Sequence, residues 1–420
     1  MRLLLATDHY PPFIGGAHRQ ARLLAAGMAD RGHRVEVATP WQAGLPSREH
    51  EGDVVVHRLR ELRTALPGLA RGEEQRHHPP YPDPVTIRGL RRVIRDLQPD
   101  LIHAYGWLAF SVAAAVGRHR IPLLVSARDY GYFCPARTLL QDGVAPCSGP
   151  GPGKCLRCAS LYYGPAKGWA TVAGVAISRR LLARRMNGLH SVSAYVGEVT
   201  REFTLGPEAD RLGVDVVIPS FQDVSAGQGS SDPRTEECLA MLPEVPFMLF
   251  VGAFRKAKGL ETLFEAYRRL ESPPPLALIG THQHDAPDHI PDDVVTILDA
   301  PHEAVLAAWD RALFGVMPSL WPEPLGSTVT EAMSRGKAVI GSRLGGHADL
   351  LDEDSGLTVP PGDVGALTAA MRELIADPER REALGAAAAR RARGFTAPVV
   401  IPRFEQAYRD LIAAVRAAEG

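Results

Sequence analysis

Short, unbroken apolar runs alternate along this chain with stretches whose apolar positions recur every three or four residues. That alternation predicts strands and helices in turn. Leu3–Thr7 reads as a strand, and a loop from Asp8 follows, carrying Pro11, Pro12, Gly15 and Gly16. Ala17–Arg31 reads as a helix with Leu23, Leu24 and Met28 on one face, closed by Gly32 as a C-cap. Arg34–Thr39 is the next strand. This strand–helix–strand unit is the element of a parallel sheet. It recurs as Asp100–Ala104, Trp107–Arg118 and Pro122–Ala127. Residues 45–85 are rich in Pro, His and Arg and read mostly as loop around one strand, Val54–Arg58.

Val214–Pro219 is strand-like, and Ser220–Arg234 is polar with few apolar residues, a shift that suits a linker between domains. A second series follows. Its strands are Phe247–Gly252, Leu276–Gly280, Val294–Leu298, Leu313–Met317 and Ala338–Ser342. Its helices are Leu260–Leu270, Glu303–Asp310, Thr328–Arg335, Pro361–Ile375 and Pro378–Arg393, and a last amphipathic helix covers Pro402–Ala418. The 420 residues exceed the roughly 250–300 that one core organises. The expected fold class is therefore α/β, with two doubly wound, Rossmann-like domains. Residues 1–220 form the first, with a Cys-rich loop at 130–160, and 221–395 form the second. Residues 396–420 are a helix expected to pack back on the first domain. In such sheets ligands bind beyond the carboxyl ends of the strands, so a cleft between the domains is the expected site.

Composition narrows the field. Hydrophobic residues make up 45% and the formal net charge is −1. Nothing global draws the chain to nucleic acid, so a basic site must be local. No apolar run approaches the roughly 20 residues that span a bilayer. The apolar start, Met1–Ala6, is too short for a signal-peptide core. The expectation is a cytoplasmic protein.

Three stretches carry chemistry. In the first, Glu323 ends a loop after a strand, Pro324, Leu325 and Gly326 lead into a helix beginning near Ser327, and Glu331 lies inside that helix with seven residues between the two glutamates. Backbone N–H groups at a helix start favour an anion such as a diphosphate. A carboxylate one turn in suits the two hydroxyls of a ribose. Two solvated acidic residues at a helix start would look the same. In the second stretch, Arg255, Lys256 and Lys258 follow a strand and precede Gly259, where they would neutralise a leaving diphosphate; the plainer alternative is a solvated basic turn. In the third, Gly15 and Gly16 after the first strand let backbone approach a ligand, as in any strand-to-helix turn.

The order of Gly-Gly loop, Lys-Gly turn, Glu-x7-Glu and Gly-Gly-His resembles glycosyltransferase family 4, retaining enzymes of the two-domain GT-B fold, from residue 1 to the end of the chain. The segment Val217–Ser220 with Asp223 is similar to the family's interdomain segment. The resemblance implies that Glu331 holds the ribose and that Glu323 contacts the donor sugar beside Leu325 and Gly326. It implies that Lys258 stabilises the leaving diphosphate and that Gly15 and Gly16 approach it from the other domain. It implies no metal at the diphosphate, a nucleotide-sugar donor with UDP favoured, and an acceptor the sequence does not identify. The chain departs from the family pattern at three places. Ala253 stands where many members carry arginine, leaving that role to Arg255. Tyr105 stands where a second histidine often follows His103, with both expected at the catalytic site. Arg128-Asp129, assigned to the acceptor, stands where a His-Asp pair is common. An epimerase or hydrolase on the same fold, or a nucleotide-sugar binder without turnover, are the competing readings.

Cys134, Cys147, Cys155 and Cys158 fall in 25 residues of Gly- and Pro-rich sequence, a spacing that suits a structural zinc site; free thiols or an oxidised pair are the alternatives. Gly149–Lys154 imitates a phosphate loop with the wrong spacing, and Asp352-Glu353-Asp354 reads as a solvated turn. Ser178–Met186 reads as a short basic amphipathic helix, and the resemblance implies peripheral membrane contact there. Arginines facing solvent on an ordinary surface helix are the commoner reading.

Overall fold

The structure, a computed structural model, describes residues 1–12, 16–65, 78–117, 120–143, 145–221, 232–283 and 285–418. The chain forms two compact units. Met1–Asp142, Cys147–Ser220 and Val400–Gly420 make the first; Gly143–Pro146 and Phe221–Val399 make the second.

The first unit is built on eight strands. These are β1 (Arg2–Ala6), β2 (Arg34–Pro40), β3 (Arg48–Glu51), β4 (Val54–Leu59), β5 (Leu101–Tyr105), β6 (Leu123–Ala127), β7 (Gly188–Ser191) and β8 (Val214–Val217). Their order is β8-β7-β6-β5-β1-β2-β4-β3, with every pair parallel except β3 against β4. Every residue of β5, β6 and β7 is buried, as expected of strands covered by helices on both faces. In β4 burial alternates, so one face meets a thinner cover.

The region expected to be mostly loop holds more structure. β3 pairs with β4, and a helix spans Pro84–Leu97. Asp83 starts that helix by accepting hydrogen bonds from the N–H groups of Val85 and Thr86, Pro84 occupies the first turn where no N–H is needed, and Gln98 stops it at φ 51°. The Cys-rich segment is also not a loop throughout. Its end, from Pro152, belongs to the helix Pro152–Tyr163, and the helix Pro165–Arg185 follows directly, each with proline in its first turn.

The C-terminal helix, Ala397–Ala417, packs on the first unit from Val400 onward. Phe404, Tyr408 and Leu411 are buried there. Gly188 permits the close approach of helix to sheet, since a Cβ there would stand 2.9 Å from Leu124 and 3.0 Å from Leu411. Glu405 fixes the register by accepting from Arg31 Nε at 2.6 Å and contacting His33 Nε2 at 3.1 Å.

The second unit is a six-stranded, all-parallel sheet. It comprises β9 (Phe247–Val251), β10 (Leu276–Gly280), β11 (Val295–Leu298), β12 (Ala312–Met317), β13 (Ala338–Ser342) and β14 (Leu357–Val359), in the order β11-β10-β9-β12-β13-β14. The strand order reverses between β9 and β12, the place where doubly wound sheets open a crevice at their carboxyl ends. Among the described residues no helix is long and apolar enough to cross a membrane.

Candidate active site

The loops after β9 and β12 meet at this reversal. Gly259, at φ 75°, ends the 3-10 turn Lys256–Lys258 and opens the helix Leu260–Arg268. A Cβ at Gly259 would lie 1.9 Å from the Pro318 carbonyl oxygen, so only glycine lets the two loops touch. They are then stitched together. The Leu320 N–H donates to the Ala257 carbonyl at 2.8 Å, and Ser319 Oγ lies 3.3 Å from the same carbonyl.

This stitching presents Lys258 to Glu323. Lys258 Nζ lies 2.5 Å from Glu323 Oε1 and 5.6 Å from the centre of the Trp321 ring. Trp321 Nε1 donates to the same Oε1 at 2.6 Å and Ser319 Oγ at 3.1 Å. Among the described residues every hydrogen bond to this carboxylate ends on Oε1. Burial alone would push the Glu323 carboxyl up. Lys258 and then His347 outweigh it and, with the hydrogen bonds from Lys258 and Trp321, hold it below the usual carboxylate range. Glu323 is therefore ionised at neutral pH.

A third loop, after β13, closes underneath. The Gly346 N–H donates to the Glu323 carbonyl at 2.7 Å. His347 stands beside Gly326 and is 2% exposed, and no hydrogen bond reaches its Nδ1. Burial pushes its imidazole down to about 4, against the pull of Glu323, so it is neutral at pH 7. Gly326, at φ 97°, leads into the helix Ser327–Ser334 and provides no side-chain cap for it. Glu331, half-buried in that helix, meets His302 Nε2 at 3.1 Å. Arg255 is held by Asp285, Nε to Oδ1 at 3.0 Å. Lys258, Glu323, Pro324, Leu325, Gly326, Ser327, Glu331 and Arg255 thus all lie on loops and helix starts of the second unit.

The residues expected from the first unit fare differently. Gly15 and Asp223 lie outside the described residues, and Gly16 opens the helix Gly16–Asp30. His103 is fully buried within β5. A chain of hydrogen bonds uses both its nitrogens. His190 Nε2 donates to the Ile218 carbonyl at 2.7 Å, which leaves His190 Nδ1 to accept from Ser126 Oγ at 2.6 Å. Ser126 Oγ in turn accepts from His103 Nε2 at 2.7 Å, and Tyr408 at 2.7 Å and Tyr105 at 3.1 Å donate to His103 Nδ1. Burial, then His190 and Arg128, push His103 well below the usual histidine range. His103 and Tyr105, expected at the catalytic site, are buried in this core, where their polar atoms face each other and Tyr408. Arg128 Nη2 donates to Ser220 Oγ at 2.8 Å, and its buried Nε has no partner. Asp129 accepts from the Gly131 N–H at 2.8 Å and pairs with Arg137.

The four clustered cysteines are free thiols. Cys147 Sγ donates to the Gly149 carbonyl at 3.4 Å, Cys158 Sγ donates to the Leu140 carbonyl at 3.4 Å, and Cys155 Sγ accepts from the Gly151 N–H at 3.2 Å. Burial pushes the Cys134 thiol up to about 11, against backbone N–H groups aimed at it. Among the described residues no three His, Cys, Asp or Glu side chains are placed to hold a metal ion. The zinc expected for Cys134, Cys147, Cys155 and Cys158 finds no support here.

Sequence reasoning passed over Ser319 and Trp321 and used His347 only as part of the Gly-Gly-His motif, without a role. A tryptophan two residues before a loop carboxylate was the available signal, since an indole N–H can only donate.

Two families match the chain. "Glycosyl transferase 4-like domain" matches residues 15–214 and "Glycosyl transferases group 1" matches residues 239–391. Glycogen synthase from Mycobacterium tuberculosis is 27% identical over 423 residues, covering 94% of this chain and 89% of that protein. D-inositol 3-phosphate glycosyltransferase from Arthrobacter sp. is 26% identical, covering 95% of this chain and 91% of that protein. Among solved structures, sucrose-phosphate synthase from Thermosynechococcus elongatus aligns with a TM-score of 0.72 at 21% identity, covering 99% of this chain and 100% of that one. Anabaena HepE, solved in complex with UDP, aligns at 0.65 and 15% identity, covering 97% and 99%. With a family match on each unit, relatives spanning nearly its whole length and the GT-B fold, the chain is a glycosyltransferase and belongs to family 4.

Proposed function

We propose that this enzyme moves a sugar from a nucleoside-diphosphate sugar to an acceptor hydroxyl with retention of anomeric configuration, and that the donor carries UDP. The observation that carries this reading is Glu323: an ionised, buried carboxylate whose Oε1 takes the hydrogen bonds of Lys258, Trp321 and Ser319, while Oε2 takes none among the described residues. Oε2 is then available to a sugar hydroxyl. Lys258 supplies positive charge where a diphosphate would leave, and the uncapped start of the helix at Ser327 adds N–H donors for its oxygens. Glu331, four residues into that helix, would take the ribose hydroxyls. In the reaction the bond from the anomeric carbon to the diphosphate oxygen breaks. The acceptor oxygen bonds to that carbon from the same face, and its proton passes to the departing diphosphate. The charge on Lys258 and the helix start serve this step without a metal at the diphosphate. HepE, which shares the fold, is solved with UDP and with UDP-glucose, which supports the UDP reading, while starch synthase IV from Arabidopsis thaliana, of the same fold, is solved with ADP.

Thermal shift with UDP, GDP, ADP and dTDP tests the donor. A shift largest for UDP is expected; a larger shift with another nucleotide replaces the donor, and none with any nucleotide overturns the site. Release of UDP from a bound UDP-sugar only when an acceptor is added separates a transferase from a hydrolase or an inert binder.

A further inference from the structure

The loop after β13 ends in the short helix Gly346–Leu350, whose second residue is His347. Two glycines from other elements shape the slot that its ring fills. On one side is Gly341 of β13, where a Cβ would lie 3.6 Å from His347 Nδ1. On the other is Gly326, at φ 97°, which opens the helix Ser327–Ser334. A Cβ there would lie 2.6 Å from His347 Cδ2 and 2.7 Å from Nε2. The first is an ordinary contact and the second a clash, so the helix start is built around the Nε2 edge of the imidazole. The two ring nitrogens therefore meet different surroundings. Nδ1 faces the sheet, and Nε2 faces the helix start that the donor reading assigns to the diphosphate.

No described residue hydrogen-bonds either nitrogen, and of the two only Nδ1 is sealed from solvent. Burial keeps the ring neutral at pH 7, so it carries a single N–H. On Nδ1 that N–H would be a buried donor with no acceptor, a costly and rare arrangement. The proton therefore belongs on Nε2. The charged groups facing the ring are Glu323 and Lys258. Glu323 draws its hydrogen bonds from Lys258, Trp321 and Ser319 and none from His347, so the Nε2–H stays unspent. A directed N–H, a lysine and a helix start without a side-chain cap thus converge at the carboxyl end of a parallel sheet. Such a set of donors suits the oxygens of an anion.

We infer that His347 is a further donor-binding residue, whose Nε2–H donates to an oxygen of the diphosphate at the start of the helix Ser327–Ser334. This rests on the donor reading of the same site and adds to it a residue with a stated atom. A neutral ring contributes direction and no charge. Lys258 therefore remains the source of positive charge as the diphosphate leaves, while His347 fixes where one of its oxygens sits. Because the ring is already neutral, its contribution does not titrate in the neutral range, unlike that of a histidine binding a phosphate as a cation.

Calorimetry with UDP on the full chain tests this. His347→Asn, whose amide nitrogen reaches only as far as Nδ1, should weaken UDP binding about tenfold. His347→Gln, whose amide reaches as far as Nε2, should recover most of that loss. The ratio of the Asn variant's Kd to that of the unaltered protein should stay constant between pH 6 and 8. Melting temperatures without ligand check that both variants fold. A second readout needs only the unaltered protein with 15N-labelled histidine rings, where the resonances missing from His347→Gln belong to His347. The protonated nitrogen should be Nε2, and its resonance should move when UDP is added. UDP binding that is equal in the unaltered protein and His347→Asn would overturn this inference and leave the donor reading standing. Equal losses in the Asn and Gln variants, a ratio that climbs as pH falls, a proton on Nδ1, or an Nε2 resonance that ignores bound UDP would do the same. No UDP binding by the unaltered protein would overturn the donor reading, and this inference with it.

Discussion

Both units bury polar side chains against a parallel sheet, and they do opposite things with them. In the first unit His103, Ser126 and His190 sit inside the sheet beside Tyr408, and the Phe404 ring centre lies 5.8 Å from that of His103 and 4.7 Å, edge-on, from that of His190. Their hydrogen bonds run in one direction and end on a backbone carbonyl, so each of these polar atoms has a partner within the protein. In the second unit Glu323 is nearly as buried, but it lies beyond a strand end and carries a charge. One of its two oxygens holds all its side-chain partners among the described residues. Burial and a shifted pKa therefore do not mark a site by themselves. The mark is a polar atom whose bonding capacity the protein leaves unfilled at a strand end.

Four changes break or sharpen that contrast. The largest effect is expected from Lys258→Ala. Turnover should fall about 10²–10³-fold, while donor affinity measured by calorimetry changes far less, because the lysine's charge matters most as the diphosphate leaves. Equal losses in both would reduce Lys258 to a ground-state contact. Next comes Tyr408→Phe in the first unit. It removes a donor from a buried histidine and should lower stability by about 1–3 kcal/mol in denaturant titration, with donor binding unaffected. A loss of donor binding in that variant would show that the His103 core serves the site after all.

The third is acid. His347 and His190 have folded pKa values near 4 and 3, pushed down by burial, against an ordinary value of 6.5. A lowered histidine is more readily protonated in the unfolded chain. Its contribution is present above pH 6.5 and is lost as pH falls toward the folded value. Each such histidine should cost about 1.4 kcal/mol per pH unit in that window. Glu323 is also lowered, but its loss begins only below the ordinary carboxylate value near 4.5. A melting temperature flat from pH 6.5 to 5 would contradict the buried, neutral histidines. The smallest effect is expected from Glu331→Ala, which should weaken UDP binding about tenfold. Unchanged affinity would remove the ribose contact.

The fold was legible where one physical cause dominated. Strands β9, β12 and β13 are unbroken apolar runs bounded by polar loops, and Lys258, Glu323 and Glu331 could be placed because those loops follow directly. It was illegible where one residue serves two purposes. Pro152 lies in a stretch read as a Gly- and Pro-rich loop, yet it starts a helix, because a first-turn residue needs no N–H. β7 was not read at all: Gly188, His190 and Ser191 disfavour a strand, and tertiary hydrogen bonds to Ser126 and Ile218 override that preference. Likewise His103 carries the composition of a catalytic residue. Only a partner 305 residues away, Tyr408, shows it to be part of the core. The helix Pro84–Leu97 had its signals in Asp83 and Pro84, but a preceding stretch rich in proline and histidine masked them.

The return of the last helix to the first unit has a consequence for how the polypeptide is made. Residues needed to finish the first unit's sheet cover, Phe404, Tyr408 and Leu411, are synthesised after the entire second unit. During translation the second unit can complete its six strands while the first still exposes β5 and β7. The first-made half of the enzyme is thus the last to mature, and a ribosome that stalls or a nonsense codon in the final turns would release a protein with an intact second unit and an open, aggregation-prone first unit. Limited proteolysis of nascent chains arrested before and after residue 400 would show the first unit becoming resistant only in the longer product.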